Sequence, residues 1–301
     1  MEFFIPTIQD IGKIRQAMQH NKKQSCEMSA SNTILWAKHY KTEIAFWNQE
    51  LIFRSGFLSA EYSYSCNLYS SDNPKSLFDR IVELAKEQGQ PLRMHCMLEE
   101  EFQMIDNWYP GRFSMITRRQ DSDYLYEREK LASLAGKKLH GKRNHIHRFE
   151  ERYPDWYYAS INDENEELCA KMAMKWCLDN CADQDANWQY DRIDESKLVV
   201  YAIRHREELG MKGGALFAGG QVVAITLGEH LTDDTFVVHF EKAFPEIQGA
   251  YPMINREFVR NELQQYTYIN REEDLGDEGL RKAKLSYRPT RLIHKCIIME
   301  Q

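Results

Sequence analysis

The chain of 301 residues lacks any run of about 18 consecutive apolar residues, so no membrane-spanning helix is expected. Its opening, MEFFIPTIQD, has neither the basic start nor the long apolar core of a signal peptide, and a cytoplasmic protein is expected. Seven cysteines, an odd number, are scattered without a CxxC. Cys177 and Cys181 stand at i, i+4 on a helical pattern, and the set reads as free thiols in a reducing compartment. The ten histidines show no HExxH and no paired ligand spacing, so no metal site is expected. There is no Walker A, no GxGxxG and no nucleophile elbow around a Ser or Cys. ATP, dinucleotide and acyl-enzyme chemistry therefore find no support, and no cofactor is expected to be required.

What is present describes an ordinary folded protein. The chain is 43% hydrophobic and 28% charged, which excludes wholesale disorder. A net charge of −7 argues against a surface that binds nucleic acid all round, while leaving room for a local basic patch.

Two series of elements follow the same order. In the first half, Glu43–Trp47 and Glu50–Arg54 read as a hairpin around Asn48-Gln49, Glu61–Tyr69 as a strand, Pro74–Gln88 as a helix and Leu92–Leu98 as a strand. In the second half, Gly213–Phe217 and Gln221–Leu227 form a hairpin around Gly219-Gly220, followed by a strand (Thr235–Phe240), a helix (Met253–Leu263) and a strand (Tyr266–Asn270). The matched elements lie about 170 residues apart, which points to a tandem duplication of one α/β unit. Asp123–Leu134 reads as the start of a charged amphipathic helix, Glu164–Cys181 as a long helix and Leu198–His205 as a strand passing into a helix. The aromatic clusters Trp108-Tyr109 and Trp156-Tyr157-Tyr158 are expected to pack between the copies.

Two segments carry concentrated polar chemistry. From Gly136 to Arg148, eight of thirteen residues are Lys, Arg or His. Lys137, Lys138, Lys142 and Arg143 there could grip phosphates, or the run could be a solvated linker partly neutralised by Glu150, Glu151 and Asp155. The second segment, YINREEDLGDEGLRKAKLSYRP, sets acids, glycines, cations and a phenol close together. Its counterpart, Met94–Glu101, keeps the strand and the acids but lacks the glycines, the cations and the tyrosine, which places function in the second half.

Several pieces form a familiar set: DYLY at 123–126, LHGKRNH at 139–145, EKA at 241–243, GAYP at 249–252, NREEDLG at 270–276 and GLRKAKLSY at 279–287. Together they resemble a bacterial family of uncharacterised proteins related to the C-terminal domain of phosphatidylglycerol lysyltransferases. The resemblance implies two acyltransferase folds of the GNAT type in tandem, each a mixed, mostly antiparallel sheet flanked by helices. The expected division is 1–122 for the first domain, 123–155 for a basic connecting segment and 156–301 for the second domain, which would carry the site. The related lysyltransferases move an aminoacyl group from a charged tRNA to a lipid headgroup and carry a preceding membrane-embedded domain, for which nothing in this chain is expected to serve.

The resemblance also implies roles. In GNAT folds the fourth strand splays from its neighbour, and a Glu in the gap can act as general base; Glu241 is the candidate, or else it forms an ion pair with a cation such as Lys284. Tyr287 would be the general acid. Gly249 and Tyr251 lie where GNAT enzymes bind pyrophosphate at a helix N-terminus, although Gln248-Gly249-Ala250 only echoes the usual pattern and a plain helix-entry turn competes. Asn270, Glu273, Asp274, Lys284 and Ser286, with Lys242, would bind the substrate or donor, or would form a buried polar network pinning the last helix. The implied reaction is acyl or aminoacyl transfer from acyl-CoA or aminoacyl-tRNA to an amine or hydroxyl such as a lipid headgroup. The alternative is a non-catalytic module binding a phosphorylated metabolite or nucleic acid, and the oligomeric state is left open.

Overall fold

Asn48 and Gln49 both take positive φ, 49° and 69°, which matches the twist of a two-residue hairpin turn. Strand β1 (Thr42–Trp47) accordingly folds back on β2 (Glu50–Ser55). A short β3 (Ser63–Ser65) precedes the helix Pro74–Glu87, which buries Leu77, Phe78, Ile81, Val82, Leu84 and Ala85 on one face. The chain then returns as β4 (Arg93–Leu98), parallel to β3, and continues into β5 (Phe113–Thr117). The structure is a computed structural model describing residues 1–56, 61–181 and 186–301; the side chains of residues 180, 181 and 186–194, Cys181 among them, lie outside that description.

The second series repeats the plan. After β6 (Asp123–Glu127) and β7 (Tyr157–Ser160) come the hairpin of β8 (Met211–Ala218) and β9 (Gln221–Thr232) and then β10 (Thr235–Ala243). The helix Ala250–Glu262 crosses over to β11 (Tyr268–Asn270), parallel to β10, and β12 (Arg291–Ile293) and β13 (Lys295–Glu300) close the chain. The protein is thus α/β, with two GNAT-like units in tandem, each a mixed sheet flanked by helices.

The sheets trade strands across the sequence. One sheet runs β1-β2-β3-β4-β13-β5, and the other β12-β6-β11-β10-β9-β8-β7. Residues 295–300 therefore complete the first sheet, between β4 and β5, while 123–127 enter the second beside β11. Segment 123–155 contributes a strand as well as a connection.

Four local expectations are corrected. Asp123–Glu127 is a strand, not the start of a helix; Tyr124, Leu125 and Tyr126 are all buried between β11 and β12, and a strand covered on both faces shows no alternation. The basic run is not a solvated linker. It forms the helix His140–Arg152, which buries Ile146 and Phe149. Residues 198–204 belong entirely to the helix Ala186–Arg204. The aromatic clusters do not meet between the copies: Trp108 and Tyr109 pack on Phe78 in the first unit, while Tyr157 stacks on Phe217 at the outer strand of the second sheet, 53% exposed.

Candidate active site

Strands β10 and β11 stay in register over only three pairs, Thr235 with Tyr268, Phe236 with Ile269 and Val237 with Asn270. Beyond them the strands part and leave a wedge. His239 and Glu241 both lie on β10 there, His239 at a β-bulge where the pairing with β9 shifts register between Val238 and Phe240. On the other side the backbone turns sharply, with Glu272 at φ 56° and Leu275 at φ 50°.

The outer part of the wedge holds five polar or aromatic side chains. Arg271 donates from Nη2 to Glu241 Oε1 at 2.7 Å, and Asn255, on the crossover helix, donates to Glu241 Oε2 at 2.9 Å. The Arg271 guanidinium lies 4.7 Å from the centroid of the buried Tyr287 ring, and Lys142 Nζ lies 4.0 Å from the same centroid. Burial pushes Lys142 down to about 8, and the Arg271 charge adds to that shift. Burial raises the Tyr287 phenol above its ordinary range. Two buried polar atoms here, Arg271 Nη1 and Asn255 Oδ1, have no hydrogen-bond partner. Glu241 does pair with a cation, the alternative to a base role, and that cation is Arg271 rather than Lys284.

Deeper in the wedge, His239 is clamped from both sides. Its Nε2 meets Glu229 Oε1 at 2.9 Å and its Nδ1 meets Glu272 Oε1 at 2.7 Å. Burial alone favours the neutral ring, but the two hydrogen bonds and the carboxylate charges outweigh it and lift the imidazole to about 10. With both nitrogens engaged, His239 is a fixed imidazolium rather than a proton shuttle.

Below this, Lys295 ties the two sheets together. Its Nζ reaches Glu27 at 2.6 Å, Asp123 at 2.8 Å, Glu273 at 3.1 Å and Cys26 Sγ at 3.6 Å. Burial raises Asp123 to about 7 despite the ammonium, whereas Lys295 overcomes the burial of Glu27 and holds it at about 2. Cys26, Asp123 and Glu273 offer a thiol and two carboxylates within 4.8 Å of one another, a donor set of the kind that holds metals. The Lys295 ammonium touches all three and already serves as their cation.

The other sequence candidates serve around the wedge. Asn270 donates to Asp123 and to the Gln24 carbonyl. Asp274, fully buried, accepts from Tyr124 at 2.6 Å and twice from Arg281 at 2.9 Å, which pins the helix Glu278–Leu285. Lys284 donates to the Arg271 and Glu273 carbonyls and so fixes the turn that carries Arg271. Ser286 bonds the Ala283 carbonyl at that helix end. Lys242 points elsewhere, to Glu195 at 2.8 Å and the Trp176 ring. Tyr251 is partly buried against the core.

Within the basic helix the four cations separate. Lys137 and Lys138 are exposed, Arg143 caps the Leu134 and Gly136 carbonyls, and Lys142 enters the wedge. Gly249, at φ 91°, is where this helix meets the crossover helix. A Cβ there would stand 2.3 Å from the His145 carbonyl oxygen. Of the first helical residues beyond it, Ala250 gives its N–H to the Ile247 carbonyl and Pro252 has none, so this N-terminus offers a pyrophosphate few donors.

Sequence reasoning passed over Arg271 and His239 as site residues, although both were in quoted motifs. The usable signal for Arg271 was its position directly after the fifth strand, at the mouth of any splay. An open surface cleft of about 410 Å³ lies at the opposite end of β10 from Glu241, lined by Lys22, Gln24, Asp234, Tyr268 and Arg291.

The first unit has a wedge of its own, and it is plugged. Strands β3 and β4 pair only at Tyr64 and Met94. Beyond that point Lys23 Nζ meets Glu101 Oε2 at 2.8 Å, neither side chain being exposed, and also reaches the Cys66 carbonyl.

The family description that matches residues 19–298 is that of the phosphatidylglycerol lysyltransferase C-terminal domain. The chain belongs to this family. A conserved protein of unknown function from Bacteroides thetaiotaomicron is 34% identical over the whole of both chains, with a TM-score of 0.89. L-PGS from Bacillus licheniformis superposes with a TM-score of 0.66 at 13% identity, over 99% of this chain and 94% of that one. An uncharacterized protein of Mycoplasmoides gallisepticum, MYCGA3080, is 24% identical over 73% of this chain and 70% of its own length. The lysyltransferase-like family and fold are of the transferase type. Among the described residues, no helix is long and apolar enough to cross a membrane.

Proposed function

We propose that the protein transfers an acyl or aminoacyl group to an amine or hydroxyl acceptor, with the chemistry in the wedge between β10 and β11. One observation carries the reading: the two copies share a splayed parallel strand pair, but only the second sets Glu241 and Tyr287 there beside two cations with unused capacity, Arg271 through its Nη1 and Lys142 through its ammonium. In this reading the acceptor attacks the carbonyl of the donor, Glu241 receives the acceptor's proton and Tyr287 returns one to the leaving group, with no covalent enzyme intermediate. Arg271 and Asn255 hold Glu241 in place, and buried donors beside it suit the charge that develops in the transition state.

The scarcity of donors at the Ala250 helix N-terminus favours an aminoacyl ester borne by tRNA over acyl-CoA, whose pyrophosphate would need that site. The name of the family favours a lipid headgroup as acceptor, which would bring the protein to a membrane surface. The test offers purified protein aminoacyl-tRNAs and acyl-CoAs with lipid and peptide acceptors. Transfer should occur, and Glu241→Gln and Tyr287→Phe should each slow it about 100-fold or more. Transfer that is unaffected by both substitutions would remove these roles.

A second reading has its own observation. Glu241 already accepts from Arg271 and Asn255, and burial holds the Tyr287 phenol well above its ordinary range. A binding module for a phosphorylated metabolite or nucleic acid would show saturable binding without turnover, abolished by charge reversal at Lys137, Lys138, Lys142 and Arg143.

A further inference from the structure

Two cations converge on one ring, and one of them is paired with a carboxylate. Arg271 commits Nη2 to Glu241, and its side chain is only 10% exposed. Its Nη1 is buried without a partner, a costly arrangement for a charged donor. Lys142, among the described residues, makes no ion pair and no hydrogen bond; its ammonium rests on the Tyr287 ring, 4.0 Å from the centroid. Glu241 already accepts from Arg271 and Asn255, so it has little left for Lys142.

The arrangement is held from behind. Lys284 Nζ bonds the Arg271 carbonyl at 2.6 Å, and the Tyr126 hydroxyl bonds the Lys284 carbonyl at 2.8 Å. The guanidinium therefore does not swing freely in search of another partner, and its unused edge is presented in advance.

We propose that Lys142 and the Nη1 edge of Arg271 form a receptor for one oxyanion, a phosphodiester or a carboxylate, seated over the face of Tyr287 beside Glu241. Two cations and one carboxylate leave a single net positive charge, which suits a monoanion. Arg271 supplies directional N–H donors and Lys142 a point charge. The inference rests on the reading of the wedge as a transfer site and deepens it, because the true substrate then carries an anionic group next to the reacting atoms.

The test needs no turnover. Backbone amides of the full chain are followed by NMR during titration with dimethyl phosphate and, separately, with acetate, at constant ionic strength. At least one anion should give saturable shifts at Arg271 and Tyr287, and the tighter one names the ligand class. Lys142→Met should weaken that binding at least tenfold, Lys142→Arg should hold it within about threefold, and Lys86→Met, exposed on the helix Pro74–Glu87 of the first unit, should leave it unchanged. Lys142 is half-buried at the mouth of the wedge, so its replacement does not threaten the fold as that of Arg271 does. Saturation by neither anion, or wild-type affinity in Lys142→Met, would overturn the receptor. Anion binding without group transfer would remove the transferase reading and leave the receptor standing; transfer without anion binding would do the reverse.

Discussion

Lys23 and Glu101 meet at 2.8 Å with no exposure of either side chain, beyond the single β3–β4 pair of the first unit. Glu101 also accepts from the Leu98 and Tyr69 amides, so its carboxylate is saturated. Burial works against the Lys23 charge, yet Glu101 outweighs it and holds the ammonium protonated. This pair seals a wedge that the second unit keeps chemically open.

Breaking the seal should cost stability without touching the second site. Lys23→Met strands a buried carboxylate, and removal of one partner of such a pair typically costs ~3–5 kcal/mol. Adding Glu101→Gln removes the stranded charge and should recover at least half of the loss in urea unfolding. A single variant as stable as wild type would show that the pair contributes nothing to the fold.

The duplicated order of elements was legible because each hairpin and crossover is local, with its turn residues and apolar spacing next to each other in sequence. The exchange of β6 and β13 was not, since Asp123–Glu127 and Lys295–Glu300 find their sheets through partners far away in the chain. The wedge was half legible. Glu241 and Tyr287 stood out by residue type and position, but Arg271 became a site residue only through its unpaired nitrogen, which no spacing encodes. His239 likewise depends on Glu229, which lies on the neighbouring strand, and on Glu272 across the splay.

The His239 clamp predicts a loss of stability on the alkaline side. A histidine lifted from 6.5 to about 10 binds its proton more tightly in the folded state. Its contribution is fully present below pH ~6.5 and disappears as the pH rises towards 10. Unfolding free energy should therefore fall across that window, at ~1.4 kcal/mol for each pH unit in which the folded state alone holds the proton. In His239→Gln the fall should flatten while overall stability drops. A wild-type curve as flat as the variant's over pH 7–10 would contradict the charged imidazole.

The acid side should be governed by Glu27. Its carboxyl is held at about 2 by Lys295, so its contribution is present above pH ~4.5 and is lost as the pH falls towards 2. Lys295→Met removes the ammonium shared by Glu27, Asp123 and Glu273, and the buried Asp123 and the two partly buried glutamates then repel one another. That variant should lose ~3 kcal/mol or more at neutral pH and regain part of it near pH 5, where protonation relieves the repulsion. Chemical denaturation at both pH values measures the difference. A variant whose deficit is the same at pH 5 and pH 7.5 would mean that the carboxylates do not depend on Lys295 for neutralisation.

Gly249 decides whether the basic helix can deliver Lys142. At φ 91° a side chain is strained, and a Cβ would press into the His145 carbonyl at 2.3 Å and Phe149 Cβ at 2.8 Å. Overpacking of this kind costs ~1–3 kcal/mol, and the left-handed backbone adds ~1–2. The backbone carbonyl cannot rotate away, so the helix His140–Arg152 has to retreat from the crossover helix. Lys142, two residues from the start of that helix, would retreat with it from Tyr287. Gly249→Ala should therefore lower the unfolding midpoint and weaken anion binding in the wedge together, whereas Gly141→Ala, with open space around its Cα, should change neither. A Gly249→Ala protein that loses stability but binds the anion as tightly as wild type would uncouple the helix contact from the position of Lys142.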